Sequence, residues 1–206
     1  MRGIVATVKA LRYLSSQNGA AIVEFAVSLP LLTVLVVGIF DFGGAVNLKQ
    51  ELNNAAREGA RFGAMQPTND LCSTNPCDTP LSIQAIGHLI DNYLRAAKIN
   101  DCGLDAVGVS GTGPPYILTA NSGCGGGTLT VTIYRDSSTG GGAPTCDLTA
   151  TNYGGVAGPV DLPCTKVSIS YPYQWHFNNV IQLIAPGSTY GLFIYINTDA
   201  VAVNTQ

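Results

Sequence analysis

The chain has 206 residues, of which 46% are hydrophobic and only 11% charged, a balance too apolar for an ordinary solvated domain of this length. Its net charge of −3 at pH 7 argues against a basic surface for a phosphate backbone, so no nucleic-acid partner is expected. Part of the chain is therefore expected to meet membrane lipid.

Ala20 to Phe40 is an apolar run of 21 residues carrying one charge, Glu24. As a helix rising about 1.5 Å per residue it spans roughly 30 Å, the hydrocarbon thickness of a bilayer. Arg2, Lys9 and Arg12 precede it and hold the N-terminus on the cytoplasmic side, which sends everything after Phe40 to the periplasm or cell exterior. A cleaved secretory signal is disfavoured, because Asp41-Phe42-Gly43-Gly44-Ala45 is a poor small-x-small cleavage site and the apolar core is long. Pro30 lies inside the span, cannot donate to the carbonyl of Ala26, and should kink or loosen one turn.

The helical signal continues through residues 41–64, with no obvious stop. Two rows of small residues recur there at intervals of four, Ala55, Gly59 and Gly63, and Ala56, Ala60 and Ala64, each along one side of the helix. Such rows admit a second backbone closely: either a partner helix or the chain's own C-terminal domain.

Here the sequence resembles the TadE-like family, pseudopilins of the tight-adherence (Flp-type) pilus machinery. The resemblance is carried by "GAAIVEFAVSLPLL" from Gly19, by the apolar span after it, and by "NNAAREGARFGA" at 53–64. It implies that a prepilin peptidase on the cytoplasmic membrane face cuts between Gly19 and Ala20, leaving Glu24 fifth in the mature chain and the aromatic Phe25 behind it. The implied partners are membrane lipid, that peptidase, other pilins or pseudopilins, and the pilus assembly platform. The cut would create a cationic amine on Ala20 one helical turn from Glu24, and the two charges, in one subunit or between neighbours, could neutralise each other. A carboxylate at a bilayer centre costs about 2.5 to 3.5 kcal/mol on insertion scales, but near a helix end it reaches headgroup water. The competing reading is an uncleaved anchor on which Glu24 snorkels to the interface.

Residues 65–79 are turn-rich, with Pro67, Asn69 and Asp70. Thr79-Pro80 reads as an N-cap followed by a first-turn proline, opening an amphipathic helix to Lys98 with Ile86, Leu89, Ile90, Tyr93, Leu94 and Ala97 on its core stripe. Beyond Cys102, alternation replaces helical spacing. Residues 128–135 and 166–173 read as half-buried antiparallel strands, 190–203 as a third with a bulge near Asn197–Asp199, residues 104–109 as a weaker fourth, and 179–184 as a short helix. The glycine triplets at 125–127 and 140–142 lack the lysine and following helix of a phosphate cradle and read as hairpin loops.

Six cysteines, Cys72, Cys77, Cys102, Cys124, Cys146 and Cys164, all follow the span and can oxidise outside the cytoplasm. Fifteen pairings are possible. Sequence proximity favours Cys72–Cys77, Cys102–Cys124 and Cys146–Cys164. No Cys-x-x-Cys pair suggests a metal, no cofactor motif occurs, and His88 and His176 belong to no catalytic motif, so no enzyme is expected. Tyr171, Tyr173, Trp175 and Phe177 alternate, either as a contact face or, more simply, as core.

The expected architecture is α+β. A basic cytoplasmic leader (1–19) precedes a transmembrane helix (20–40), its extramembrane continuation (41–64), and a disulfide-bonded pilin-like domain (65–206) with one amphipathic helix and a three- to four-stranded antiparallel sheet. The expected protein sits in the bacterial inner membrane, single-pass, with its C-terminal domain periplasmic or displayed on a pilus. Its expected function is that of a minor pilin-like subunit in pilus assembly or initiation; the alternative is a permanently anchored binding module or adhesin that never polymerises.

Overall fold

The computed structural model describes residues 3–67, 70–71, 80–110, 114–135, 164–175 and 193–204, with side chains from Gly19 onward. Helix α1 runs from Gly3 to Met65, so the backbone before Gly19 is helical as well. Pro30 is accommodated inside it. Around that proline, Ser28 Oγ donates to the Phe25 carbonyl at 3.2 Å and Thr33 Oγ1 to the Leu29 carbonyl at 2.9 Å, which places both hydroxyl protons within the helix itself.

The chain divides into two units, with the boundary in α1 between Gly44 and Ala45. In the first, the side chains of the apolar run stand exposed: Phe25 at 65%, Leu31 at 75% and Phe40 at 76%. The stretch from Gly19 is the one described helix long and apolar enough to cross a membrane; the most apolar 18-residue window has mean hydropathy 2.4 and no buried residue.

The second unit is a helix layer on a sheet. Helix α2, Leu81–Ala96, follows the predicted helix closely and buries Ile83, Ile86, Ile90 and Leu94. Its first turn is satisfied differently from the sequence expectation. Pro80 occupies the N-cap with no side-chain cap of its own, and the Ser82 N–H is taken at 2.7 Å by Asp70 Oδ2 from the preceding loop. Thr79, the expected cap, lies outside the described residues.

Four antiparallel strands form the sheet in the order β1-β2-β3-β4: β1 Tyr116–Ala120, β2 Leu129–Arg135, β3 Cys164–Tyr173 and β4 Ile194–Val203. The inward set on β2 and β3 is the one alternation predicts, with Leu129, Val131, Ile133, Val167 and Ile169 essentially inaccessible. Two details differ. The fourth strand is β1, whose Tyr116, Leu118 and Ala120 face the core, whereas residues 104–106 form a 3-10 turn after Gly103, which sits at φ +74°. No strand forms at 104–109; just past it a single bridge joins Ser110 to Ile117.

The second difference concerns β4, which pairs with β3 in unbroken register from Ile194↔Tyr173 to Val203↔Cys164, so there is no bulge at 197–199. The apolar phase shift is real but needs no irregularity. On an edge strand the small Ala200 and Ala202 suffice for the inner side, and Val201 stands 43% exposed on the outer side. The helix expected at 179–184 lies outside the described residues.

Tyr171 and Tyr173 are buried, and Trp175 packs against the core edge-to-face on Tyr173 at 5.2 Å between ring centroids. The described part of the aromatic run is therefore core. Phe177 lies outside the described residues.

Candidate functional site

Gly19, Ala20, Glu24 and Phe25 all lie exposed on helical backbone. Helical spacing brings Gly19, Ala20, Val23, Glu24, Val27, Ser28 and Leu31 onto one side of α1, where they line a shallow, almost wholly apolar groove. Glu24 is the one formal charge in it. An added Cβ on Gly19 would meet nothing within 4 Å, so the residue at this position is not dictated by packing.

The small-residue rows have a different environment. Ala55, Ala56, Gly59, Ala60, Gly63 and Ala64 are all buried against the second unit's own core. A Cβ on Gly59 would stand 3.2 Å from Ile90 Cδ1, and one on Gly63 would stand 2.7 Å from Thr165 Cγ2 and 2.8 Å from Ile86 Cδ1. These rows seat α2 and β3, the second of the two uses open from the sequence; no space is left beside them for a partner helix. Two polar contacts tie the same stretch of α1 to its domain: Tyr93 Oη donates to Glu51 Oε2 at 3.0 Å, and Thr198 Oγ1 donates to Asn53 Oδ1 at 3.4 Å. Burial, then the Glu51 charge, pushes the Tyr93 hydroxyl above its ordinary value.

Cys102 and Cys124 are disulfide-bonded, as their proximity in sequence suggests. Cys164 is disulfide-bonded too. Cys72, Cys77 and Cys146 lie outside the described residues, and with them the expected Cys72–Cys77 and Cys146–Cys164 pairings. Among the described residues no group of three or more His, Cys, Asp or Glu could hold a metal ion. His88 Nδ1 lies 3.2 Å from Asp105 Oδ1, both side chains more than half exposed.

Two polar clusters escape the motif-based reading. Arg135, 1% exposed, donates through Nη2 to the Gln66 carbonyl just past α1 and lies with Nη1 3.9 Å from Asp70 Oδ1. Since Asp70 also caps α2, this pair joins the end of α1, the start of α2 and the end of β2. Burial lowers the guanidinium from its ordinary value, and the Asp70 carboxylate opposes that shift. Parity gave a signal for it: Arg135 shares the inward phase of Leu129, Val131 and Ile133. The second cluster centres on Asp91, which shares the buried side of α2 with Ile83, Gly87 and Leu94.

The apolar, outward-facing first half of α1, its glutamate just inside the span, and the small-residue second half form one continuous segment. Residues 19–61 match the family model for TadE-like protein. No curated protein and no solved structure matches the chain. The TadE-like segment covers the groove around Glu24 and most of the small-residue stretch, and it ends before α2 and the sheet begin.

Proposed function

We propose that the chain is a minor pilin-like subunit of a tight-adherence, type IV-like pilus. It is held in the inner membrane by the first half of α1, with its sheet domain outside the cytoplasm, and acts without catalysis in pilus assembly or initiation. The carrying observation is Glu24: a lone charge on an otherwise apolar, outward-facing helix surface, five residues after Gly19, inside the TadE-like segment. A carboxylate drawn from headgroup water into the apolar layer carries a desolvation cost that a cationic partner offsets. Cleavage between Gly19 and Ala20 by a prepilin peptidase supplies that cation as the Ala20 amine, close enough to pair within one subunit or with a neighbour's Glu24. Phe25, beside it, offers a large apolar contact to an adjacent helix.

The test has two parts. Mass spectrometry of the protein from its native membrane should give a chain beginning at Ala20; a functional chain that retains residues 1–19 overturns the processing step. Glu24→Leu should insert normally yet abolish pilus assembly, and unchanged piliation would leave a permanently anchored module in place of a subunit.

A further inference from the structure

We infer that β4 is the edge through which two copies of this chain pair, antiparallel about a two-fold axis at Thr198, joining their sheets into one. The two edges of the sheet are finished differently. β1 is five residues long and follows Pro114-Pro115. Its outer side is engaged by Ser110, whose N–H donates to the Ile117 carbonyl at 2.8 Å and whose carbonyl accepts from the Ile117 N–H at 3.0 Å. β4 is ten residues long, contains no proline, and has no strand on its outer side among the described residues. Its one charge, Asp199, already faces Lys166 Nζ of β3 at 3.5 Å. Alternate residues of β4 therefore present unpaired N–H and C=O groups to a further strand.

The order of side chains along β4 identifies the occupant. The strand begins large, with Ile194, Tyr195 and Ile196, and continues smaller, with Ala200, Val201 and Ala202. Laid antiparallel on its own copy about Thr198, it sets Ile194 opposite Ala202, Tyr195 opposite Val201, Ile196 opposite Ala200, and Asn197 opposite Asp199, each twice. Faces match: Ile196 is buried and Thr198 meets Asn53 of α1 on the inner side, whereas Asn197 and Asp199 are exposed on the outer side. Large residues meet small ones inside. Outside, Tyr195, 47% exposed, and Val201 cover each other. Neighbouring registers lose this fit. An axis at Asp199 sets two carboxylates face to face, and one at Asn197 sets Asp199 against Tyr195.

The contact is isologous, so every favourable rung occurs twice. A facing run from Ile194 to Ala202 makes roughly eight to ten main-chain hydrogen bonds, which supply the affinity, while the side chains fix the register. The rungs continue the existing sheet. Thr132, Ser168 and Asp199 lie in one row across β2, β3 and β4, and Thr130, Ser170 and Asn197 in the next. In the pair the first row of one copy runs into the second row of the other, giving an unbroken polar band in which the Asn197 amide donates to the partner's Asp199 carboxylate.

Sedimentation of the full chain in detergent micelles should show a monomer–dimer equilibrium. Asn197→Asp puts two carboxylates on each of two rungs and should raise the dissociation constant about tenfold, most at low ionic strength. Combining it with Asp199→Asn restores one amide and one carboxylate to each rung with positions exchanged, and should bring the constant back to within about threefold of wild type. Both positions are exposed, so the fold tolerates these changes. A wild type that stays monomeric at every concentration overturns the pairing. So does a dimer indifferent to Asn197→Asp, which would be held elsewhere, or a double variant that fails to recover. Hydrogen exchange needs no variant: alternate amides of β4 should gain protection as chain concentration rises, and unchanged exchange in a chain that dimerises rules this edge out. None of these readouts depends on cleavage after Gly19, so this contact and the processing step stand or fall separately.

Discussion

The two halves of α1 have similarly simple compositions and opposite surroundings. Between Ala20 and Phe40 the large side chains are exposed and Gly38 has open space where a Cβ would go; between Ala45 and Ala64 the small residues are buried together with Leu52, and Gly59 and Gly63 abut α2 and β3. The same residue type therefore carries different information in the two halves. In the second half, glycine and alanine are a fit to neighbours already in the chain. In the first, the contacts that would explain the sequence are not supplied by the described residues of the chain.

The sharpest way to break this contrast is to delete equal volumes from each half. Leu52→Ala removes a fully buried side chain and should cost about 2 to 5 kcal/mol of domain stability. Leu32, 63% exposed, should change it by less than about 0.5 kcal/mol when cut to alanine. Denaturant unfolding followed by fluorescence reads both, because Trp175 is the one tryptophan in the chain and packs on the core of the second unit. Equal losses would mean that the first half also stabilises the domain.

A smaller effect is expected from adding a methyl group. Gly63→Ala gains about 1 kcal/mol of helix propensity but meets Thr165 and Ile86 at under 3 Å, and overpacking of that kind costs about 1 to 3 kcal/mol. The overlap should win, leaving the domain less stable by about 1 kcal/mol in the same unfolding assay. Gly43→Ala, where the new Cβ meets nothing within 4 Å, should leave that transition unchanged. Of comparable size, Tyr93→Phe removes the hydrogen bond to Glu51 and should cost about 0.5 to 1.5 kcal/mol, with no loss on the Glu51→Gln background if that bond is its cause.

Where one rule dominates, the sequence was readable. Helical spacing of Ile86, Ile90 and Leu94 located α2, and strict alternation from Leu129 and from Val167 located β2 and β3, because each pattern leaves one face to bury. The Cys102–Cys124 bond followed from its short loop. What escaped depends on long-range partners. Asp70 caps a helix that begins eleven residues later, and local signals pointed to Thr79 for that task. β1 escaped because its run is only five residues long and follows directly on Pro114-Pro115, whereas the 104–109 segment drew the assignment. For the candidate site, the order Gly19, Ala20, Glu24, Phe25 is visible in one dimension. That the rows from Ala55 to Ala64 are filled from within required knowing where Ile86, Ile90 and Thr165 come to rest.

Ser28 and Thr33 have already committed their hydroxyl protons to carbonyls of their own helix. Between Ala20 and Phe40, Glu24 is thus left as the lone strongly polar address on the surface. If companions in the bilayer plane are sorted by chemistry as well as by shape, this span gives them a single letter to read.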